Sequence, residues 1–189
     1  MDNLVKIYEN VLEDDWCDRI IKKYEDNPDQ YEEHKHGPMS FTQIKIQQFP
    51  EWGDEFKKLV EVFVSQKKRY AKDVLVNPLQ WPKKHGWEEF RVKRYLPNGV
   101  DRFDWHVDCS NHEDAKRFLV MFLYLDNNES GETDLLMKEG GTASVTDRVV
   151  SPCKKGSVLM FPPMWPWLHA GKIPTHTPKY IVGSYLHYD

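Results

Sequence analysis

The chain has 189 residues, enough for one domain with a substantial buried core. Its formal net charge of −4 argues against a protein that binds nucleic acid by neutralising backbone phosphates, and its basic clusters (Lys67-Lys68-Arg69, Lys83-Lys84) are flanked by acids and read as solvated faces. Cys17, Cys109 and Cys153 are widely spread and form neither a zinc-type pair nor a disulfide framework, which favours a reducing setting. The opening MDNLVKIYENVLEDDW has no basic n-region and no apolar h-region, and no run reaches the roughly 18 consecutive apolar residues that span a bilayer. The expectation is a cytoplasmic protein with no membrane and no nucleic-acid partner.

In chain order, Leu12, Trp16, Cys17, Ile20, Ile21 and Tyr24 recur at helical spacing, and Glu13, Asp14 and Asp15 put negative charge where the macrodipole favours it. Segment 41–49 (FTQIKIQQF) alternates and predicts a strand, and Phe56, Leu59, Val60, Phe63 and Val64 mark an amphipathic helix over 51–73. Pro78, Pro82 and Gly86 predict a loop over 76–88. From residue 89 the pattern turns to strands: EFRVKRYL up to the turn Pro97-Asn98-Gly99, then FDWHVD. RFLVMFLYLD is continuously apolar between charges, as in a strand buried on both faces, and ETDLLM, TASVTDRVV, GSVLMFP, WLHAGKI and KYIVGSYLHY follow. About eight short strands in one unit predict two packed sheets of jelly-roll type. The expected fold is mainly β with flanking helices (α+β), one domain over 1–189, with N-terminal support over 1–88 and a double-stranded β-helix core over 89–189.

Residues two apart on an extended strand share a face, so His106 and Asp108 can grip one ion together. A second imidazole from a distant strand, His169, would complete a two-His-one-carboxylate face, a donor set that suits Fe(II) and leaves coordination positions open. Alone, His-x-Asp is weak evidence, because a histidine paired with a neighbouring carboxylate explains it as well. The context strengthens it: a turn, a short aromatic strand, the pair, a polar loop and then a buried strand place the pair at a sheet rim. Lys179, ten residues after His169, precedes the apolar Tyr180-Ile181-Val182. An ammonium facing a barrel interior is costly without a partner, so an anionic co-substrate is the better explanation of Lys179 if it points inward.

Residues 89–189 resemble the catalytic core of the 2-oxoglutarate- and Fe(II)-dependent dioxygenases, in particular the prolyl 4-hydroxylase branch. The resemblance is carried by His106-Val107-Asp108, His169-Ala170-Gly171 and Lys179, with Tyr124-Leu125-Asp126, Gly131-Glu132-Thr133 and Gly156-Ser157-Val158-Leu159-Met160-Phe161 between them. The opening YENVLEDDWCDRII is also similar to the family's first helix. The resemblance implies that His106, Asp108 and His169 ligate iron, and that Lys179 pairs with the distal carboxylate of 2-oxoglutarate. It implies that Tyr124, Tyr95 and Thr133 line the same pocket, a structural role in the core or the turn being the alternative for each. His176, three residues before Lys179 in a Pro-Thr-His-Thr-Pro turn, and His112, in a polar loop, read as surface histidines.

The implied reaction is hydroxylation of an unactivated C–H bond, most simply of a peptidyl proline, with O2 consumed, succinate and CO2 released, and ascorbate as a possible reductant. Asp108 favours hydroxylation over halogenation, since related halogenases lack this carboxylate. The stretch Lys172 to Pro178 departs from the family, which often has Pro-Val and Gly there. Trp105, Trp165 and Trp167 could form an aromatic groove for a proline-containing peptide, rim packing being the alternative for Trp165 and Trp167, and Arg102 and Arg117 could orient it, an exposed-charge role being the alternative. Hydroxylation of another side chain or a small metabolite, and a non-catalytic jelly-roll binding module, remain as alternatives. A zinc hydrolase lacks its helical general-base motif here.

Overall fold

The computed structural model describes residues 4–137 and 148–189. Among them the chain forms β1 (Lys6–Tyr8), α1 (Asp14–Glu25), β2 (Glu32–His36), β3 (Met39–Lys45), α2 (Gly53–Asp73), β4 (His85–Trp87), β5 (Arg91–Tyr95) and β6 (Arg102–His106). It continues with β7 (Arg117–Tyr124), β8 (Asn128–Met137), β9 (Arg148–Cys153), β10 (Val158–Phe161), β11 (Trp167–Gly171) and β12 (Lys179–Tyr188). The strands pair antiparallel in the order β1-β10-β7-β12-β5-β3-β6-β11-β8-β9, with β2 beside β3 and β4 beside β12. One edge of β3 pairs with β5 through Thr42–Lys45 and with β6 through Met39 and Ser40, so a single strand ties the two walls together. The result is a nearly closed barrel of jelly-roll type with two flanking helices.

Alternation along the central strands separates two cores. Leu119, Met121 and Leu123 of β7, Val182 and Leu186 of β12 and Val92 of β5 face outward, onto Ile20, Leu59 and Phe63 of the helices. Val120, Phe122 and Tyr124 of β7, Ile181 and Tyr185 of β12 and Tyr95 of β5 face the barrel interior. This two-sided burial is why the segment over 117–126 reads as apolar at nearly every position rather than at every second one. The buried stripe of α2 runs through Glu55, Leu59, Val62, Phe63, Gln66 and Tyr70, and the expected Phe56 and Val60 sit at its margins.

Local departures from the sequence reading have local causes. The strand expected over 41–49 ends at Lys45, because the Gln47 side chain accepts the Phe90 N–H at 2.7 Å and frees the backbone to turn toward α2. The loop expected over 76–88 contains β4, which pairs with the end of β12 and packs Trp87 edge-on against Phe63 at 5.7 Å. β2 is polar at every position and carries no apolar alternation to announce it. Of the strand expected over 142–150, β9 starts at Arg148, and 142–147 lie outside the described residues. No helix among the described residues is long and apolar enough to cross a membrane.

Glu55 joins the two helices. It is fully buried, and its oxygens accept hydrogen bonds from Arg19 Nε and Lys23 Nζ, both at 2.7 Å. Burial alone would raise its carboxyl, but these two cations hold it below the ordinary value. A depressed folded-state value means stability that is present above the unfolded value and lost as pH falls through the folded one. Glu55→Gln is expected to cost about 1–3 kcal/mol near neutral pH and to flatten the loss of stability below about pH 5, read from urea titrations of both proteins across that range. Gly156, in the β9–β10 turn, has φ +70°, and an added Cβ would lie 2.5 Å from the Leu12 carbonyl oxygen. Gly156→Ala is therefore expected to cost more than about 1 kcal/mol of stability, read as a lower urea midpoint at unchanged m-value.

Candidate active site

The inner face of β12 presents Lys179, Ile181 and Tyr185 in turn along the barrel. On the facing wall, β11 and β6 pair with His169 directly opposite His106. The register then shifts, so that Gly171 faces Phe103 and three residues of β6 span two of β11. A bulge of this kind re-aims side chains. Here it turns both Phe103 and His106 inward, where their rings stack with centroids 3.5 Å apart.

Asp108 lies just past the end of β6. Its N–H and that of Cys109 both donate to the Pro163 carbonyl (2.8 and 3.2 Å), and its own carbonyl accepts from Arg117 at 2.9 Å. The carboxylate thus reaches the interior, with Oδ1 accepting from Tyr185 Oη at 2.8 Å. His106 Nε2 stands 3.5 Å from Oδ1, and His169 Nε2 stands 3.3 Å from Oδ2. The Nδ1 atoms of both rings bond backbone carbonyls, of Asp104 at 2.7 Å and of Trp167 at 3.1 Å, which leaves each Nε2 turned to the carboxylate.

This donor set suits a metal ion. Burial lowers His106 below the ordinary imidazole value, so its Nε2 carries a lone pair at neutral pH. Burial would raise Asp108, but the two histidines, His169 foremost, hold it far below the carboxylate range. Asp108 Oδ2 and His169 Nε2 are buried without a hydrogen-bond partner, although they face one another. Unpaired buried polar atoms are expensive, and a divalent cation held by all three side chains would satisfy them. The three ligand atoms lie within 4.8 Å of one another.

From His106 and His169 a narrow cavity runs past Phe122 and Ile181 to Thr133 and Lys179. Lys179 is 1% exposed, and its ammonium lies over the rings of Tyr95 (5.4 Å) and Tyr124 (5.7 Å). Tyr124 Oη bonds Thr133 Oγ1 at 2.8 Å and Ser151 Oγ at 3.2 Å. No carboxylate among the described residues forms an ion pair with Lys179, and burial lowers its ammonium. Cation–π contacts recover about 0.5–2 kcal/mol each, against several kcal/mol for burying the charge, so an anion bound beside Lys179 would be favoured. Gly131 keeps the lysine's path open, since a Cβ there would sit 2.9 Å from Lys179 Cδ.

A second, open pocket of ≈ 540 Å³ meets the same His106 and Asp108 from outside, walled by Met39, Phe41, Gln43, Arg91, Lys93, Arg117 and Tyr185. The residues expected to contact substrate are scattered. Trp105 and Arg102 line a surface depression with Asp104, Glu132 and Lys172, and Arg102 is paired with Asp104 at 2.8 Å. Trp165 is 81% exposed, whereas Trp167 is buried in the inner core. His112 and His176 are exposed, as expected of surface histidines. Burial pushes the Cys109 thiol up to about 11, so it serves as a neutral donor to the Asp114 carbonyl at 3.2 Å. Sequence reasoning missed Tyr185, Phe103 and Lys93, although alternation from Lys179 along β12 and from Tyr95 along β5 points to the first and the last.

The fold is shared with solved oxygenases. A prolyl hydroxylase from Trichoplax adhaerens, in complex with a hypoxia-inducible-factor oxygen-degradation-domain peptide, matches 98% of this chain and 84% of its own at TM-score 0.75 and 15% identity. A viral collagen prolyl hydroxylase from Paramecium Bursaria Chlorella virus-1 matches 98% and 96% at TM-score 0.63 and 21% identity. The non-heme alpha-ketoglutarate-dependent epimerase SnoN of nogalamycin biosynthesis matches 98% and 79% at TM-score 0.68 and 12% identity. No curated protein is matched by sequence. The family model for the 2OG-Fe(II) oxygenase superfamily matches residues 90–187, a span that contains His106, Asp108, His169 and Lys179. With more than half of its length matched, the chain belongs to the 2OG-Fe(II) oxygenase superfamily.

Proposed function

We propose that this chain is a 2-oxoglutarate-dependent hydroxylase that holds Fe(II) with His106, Asp108 and His169 and oxidises a proline in a peptide or protein, with release of succinate and CO2. One observation carries the reading: a His–Asp–His cluster, two of its side chains buried, and a buried lysine without an acidic partner stand at the two ends of one narrow cavity that His106 and His169 line. Iron, 2-oxoglutarate and O2 together supply the oxidising power for an unactivated C–H bond, and ascorbate would serve as reductant.

The protein's own work is positional. Lys179 takes the distal carboxylate of the co-substrate, with Tyr95, Tyr124 and Thr133 around it. Tyr185 fixes one oxygen of Asp108 and leaves the other for the metal. Phe103, stacked on His106, and Phe122 and Ile181 keep water from the inner cavity. The peptidyl-proline assignment draws support from the likeness to prolyl hydroxylases, one of them in complex with a peptide. The epimerase of the same fold keeps small-molecule substrates as the second reading.

Succinate formation from 2-oxoglutarate under air, with Fe(II) and a panel of proline-containing peptides, tests the proposal directly. A peptide that gains one oxygen on proline would establish it, and His106→Ala should abolish turnover. Chelation should silence the protein and Fe(II) should restore it, whereas Zn(II) should not. Lys179→Met is expected to weaken 2-oxoglutarate binding about 10- to 100-fold, as loss of a charge-assisted pair implies. Tyr185→Phe is expected to cost about tenfold in metal affinity or activity, as for loss of a residue that orients a ligand. Turnover that survives His106→Ala would overturn the metal assignment. Turnover that no proline peptide stimulates would remove the proline and leave the oxygenase.

A further inference from the structure

Lys93 is the charged residue near the site that the co-substrate reading leaves without a role. It lies on β5 two residues from Tyr95, on the same inward face, and in register with Ile181 of β12. It is 8% exposed and lines both the inner cavity and the open pocket, with its ammonium over the Phe41 ring at 4.8 Å and Phe103 at 6.0 Å. Phe41, the nearer of the two rings, walls the open pocket and not the inner cavity, so the charge lies toward the open pocket.

The other basic groups of that pocket already have acids. Lys45 pairs with Glu32 at 3.1 Å, Arg91 with Glu88 and Glu89 at 3.6 and 3.7 Å, and Arg117 with Glu88 and Asp114 at 2.7 and 2.9 Å. Lys93 has no ion pair or hydrogen bond among the described residues. The charged groups that act on it are Arg91, Asp108 and Arg117 on the outer side and Lys179 on the inner. Of these Asp108 alone is negative, and a bound metal would neutralise it. Burial brings the ammonium down to about 8, so it keeps most of its charge near neutral pH. An unpaired buried cation aimed into an open pocket is a ready anion subsite.

We infer that Lys93 anchors a carboxylate of the molecule that is oxidised, so that this enzyme takes an acidic substrate with its carboxylate close to the reacting C–H bond. The inference rests on the oxygenase reading but not on proline. Two sources share this chemistry: the main-chain carboxylate of a free or C-terminal residue, and an acidic side chain beside the target within a peptide. The open pocket admits either, and the amide-capped forms of both lack the charge that Lys93 would meet. Lys179, deeper in the closed cavity, remains the contact of the co-substrate.

Matched probes test this in the Fe(II)- and 2-oxoglutarate-loaded protein under anaerobic conditions, where binding is measured without turnover. N-acetyl-L-proline against N-acetyl-L-prolinamide examines the main-chain source, and acetyl-Pro-Glu-amide against acetyl-Pro-Gln-amide the side-chain source. By calorimetric titration, the wild type is expected to bind the acidic member of at least one pair about tenfold or more tightly than its amide. Lys93→Met should erase that preference and Lys93→Arg should keep part of it. Lys93→Met should leave the 2-oxoglutarate Kd within about twofold, well under the effect of Lys179→Met, which makes the lysine a substrate contact and not a second co-substrate contact. Thermal melts of the variants separate misfolding from lost binding, and Lys93→Arg preserves the charge if Lys93→Met does not fold. No acidic preference in the wild type, including no binding by any probe, overturns the inference. A preference that survives Lys93→Met, or a loss of 2-oxoglutarate binding equal to that of Lys179→Met, overturns it too. An acidic preference that depends on Lys93, with no proline oxidised once air is admitted, upholds the subsite and defeats the prolyl assignment.

Discussion

Because β7 and β12 are buried on both faces, their period-two alternation assigns each central side chain to one of two interiors, with little solvent-facing option left. The outer interior is filled by α1 and α2 and is apolar in the ordinary way, with Leu119, Met121, Leu123 and Val182 against Ile20, Leu59 and Phe63. The inner one has no helix to fill it, and the residues that alternation sends there include Tyr124, Lys179 and Tyr185. A slip of one residue along β12 would exchange Lys179 for Tyr180 and Tyr185 for Leu186, placing charge against the helices and leucine at the metal face. The pairing of β12 with β5 and β7 on its two edges resists that slip. The geometry of the site is therefore a consequence of the packing of the helices on the opposite side.

The inner face then carries a set of groups that a stable core would avoid. Asp108 has one oxygen bonded to Tyr185 and the other unpaired, His169 Nε2 is unpaired, and Lys179 and Lys93 have ring faces in place of acids. Each group left in this state costs free energy that the protein recovers only on binding something of opposite character. The signs differ along the cavity, with a negative, nitrogen-rich end at Asp108 and positive groups at Lys179 and Lys93. A divalent cation at the first and carboxylates at the others would balance the whole. Violations of core chemistry that cluster so closely are expected at functional sites rather than in a core built for stability alone.

How much of this was legible in the chain depends on whether the signal was local. His106, Asp108, His169 and Lys179 were readable because their spacing and their setting between turns and strands are written in consecutive residues, and the structure brings all four to one cavity system. The two-faced strand β7 was readable from its unbroken apolar run. The bulge that turns Phe103 inward was not, because it arises from a register mismatch between β6 and β11, which are more than sixty residues apart. Edge strand β2 was invisible because it has no apolar residue, and β4 because it is three residues long with a glycine at its centre. The aromatic groove expected from Trp105, Trp165 and Trp167 failed as a unit for a related reason. Alternation puts Trp167 on the inner face with His169, the chain outside β11 leaves Trp165 in solvent, and alternation on β6 turns Trp105 away from the face that His106 occupies.

Substrate choice in such a molecule cannot reside in the shared framework. The same jelly roll serves hydroxylases of proline and an epimerase at TM-scores of 0.63 to 0.75. In this chain the inner cavity joins the His106–His169 wall to Lys179 of β12. The open pocket is built from β3, β5, β6 and the loop after Asp108. Side chains there can change without disturbing the helix-facing core, because alternation separates them from it. In this chain that freedom has placed the ammonium of Lys93 between Phe41 and Phe103, at a position where an apolar residue would have packed without electrostatic cost. A charge held there against its own desolvation is a cost that a substrate carrying the opposite charge would offset.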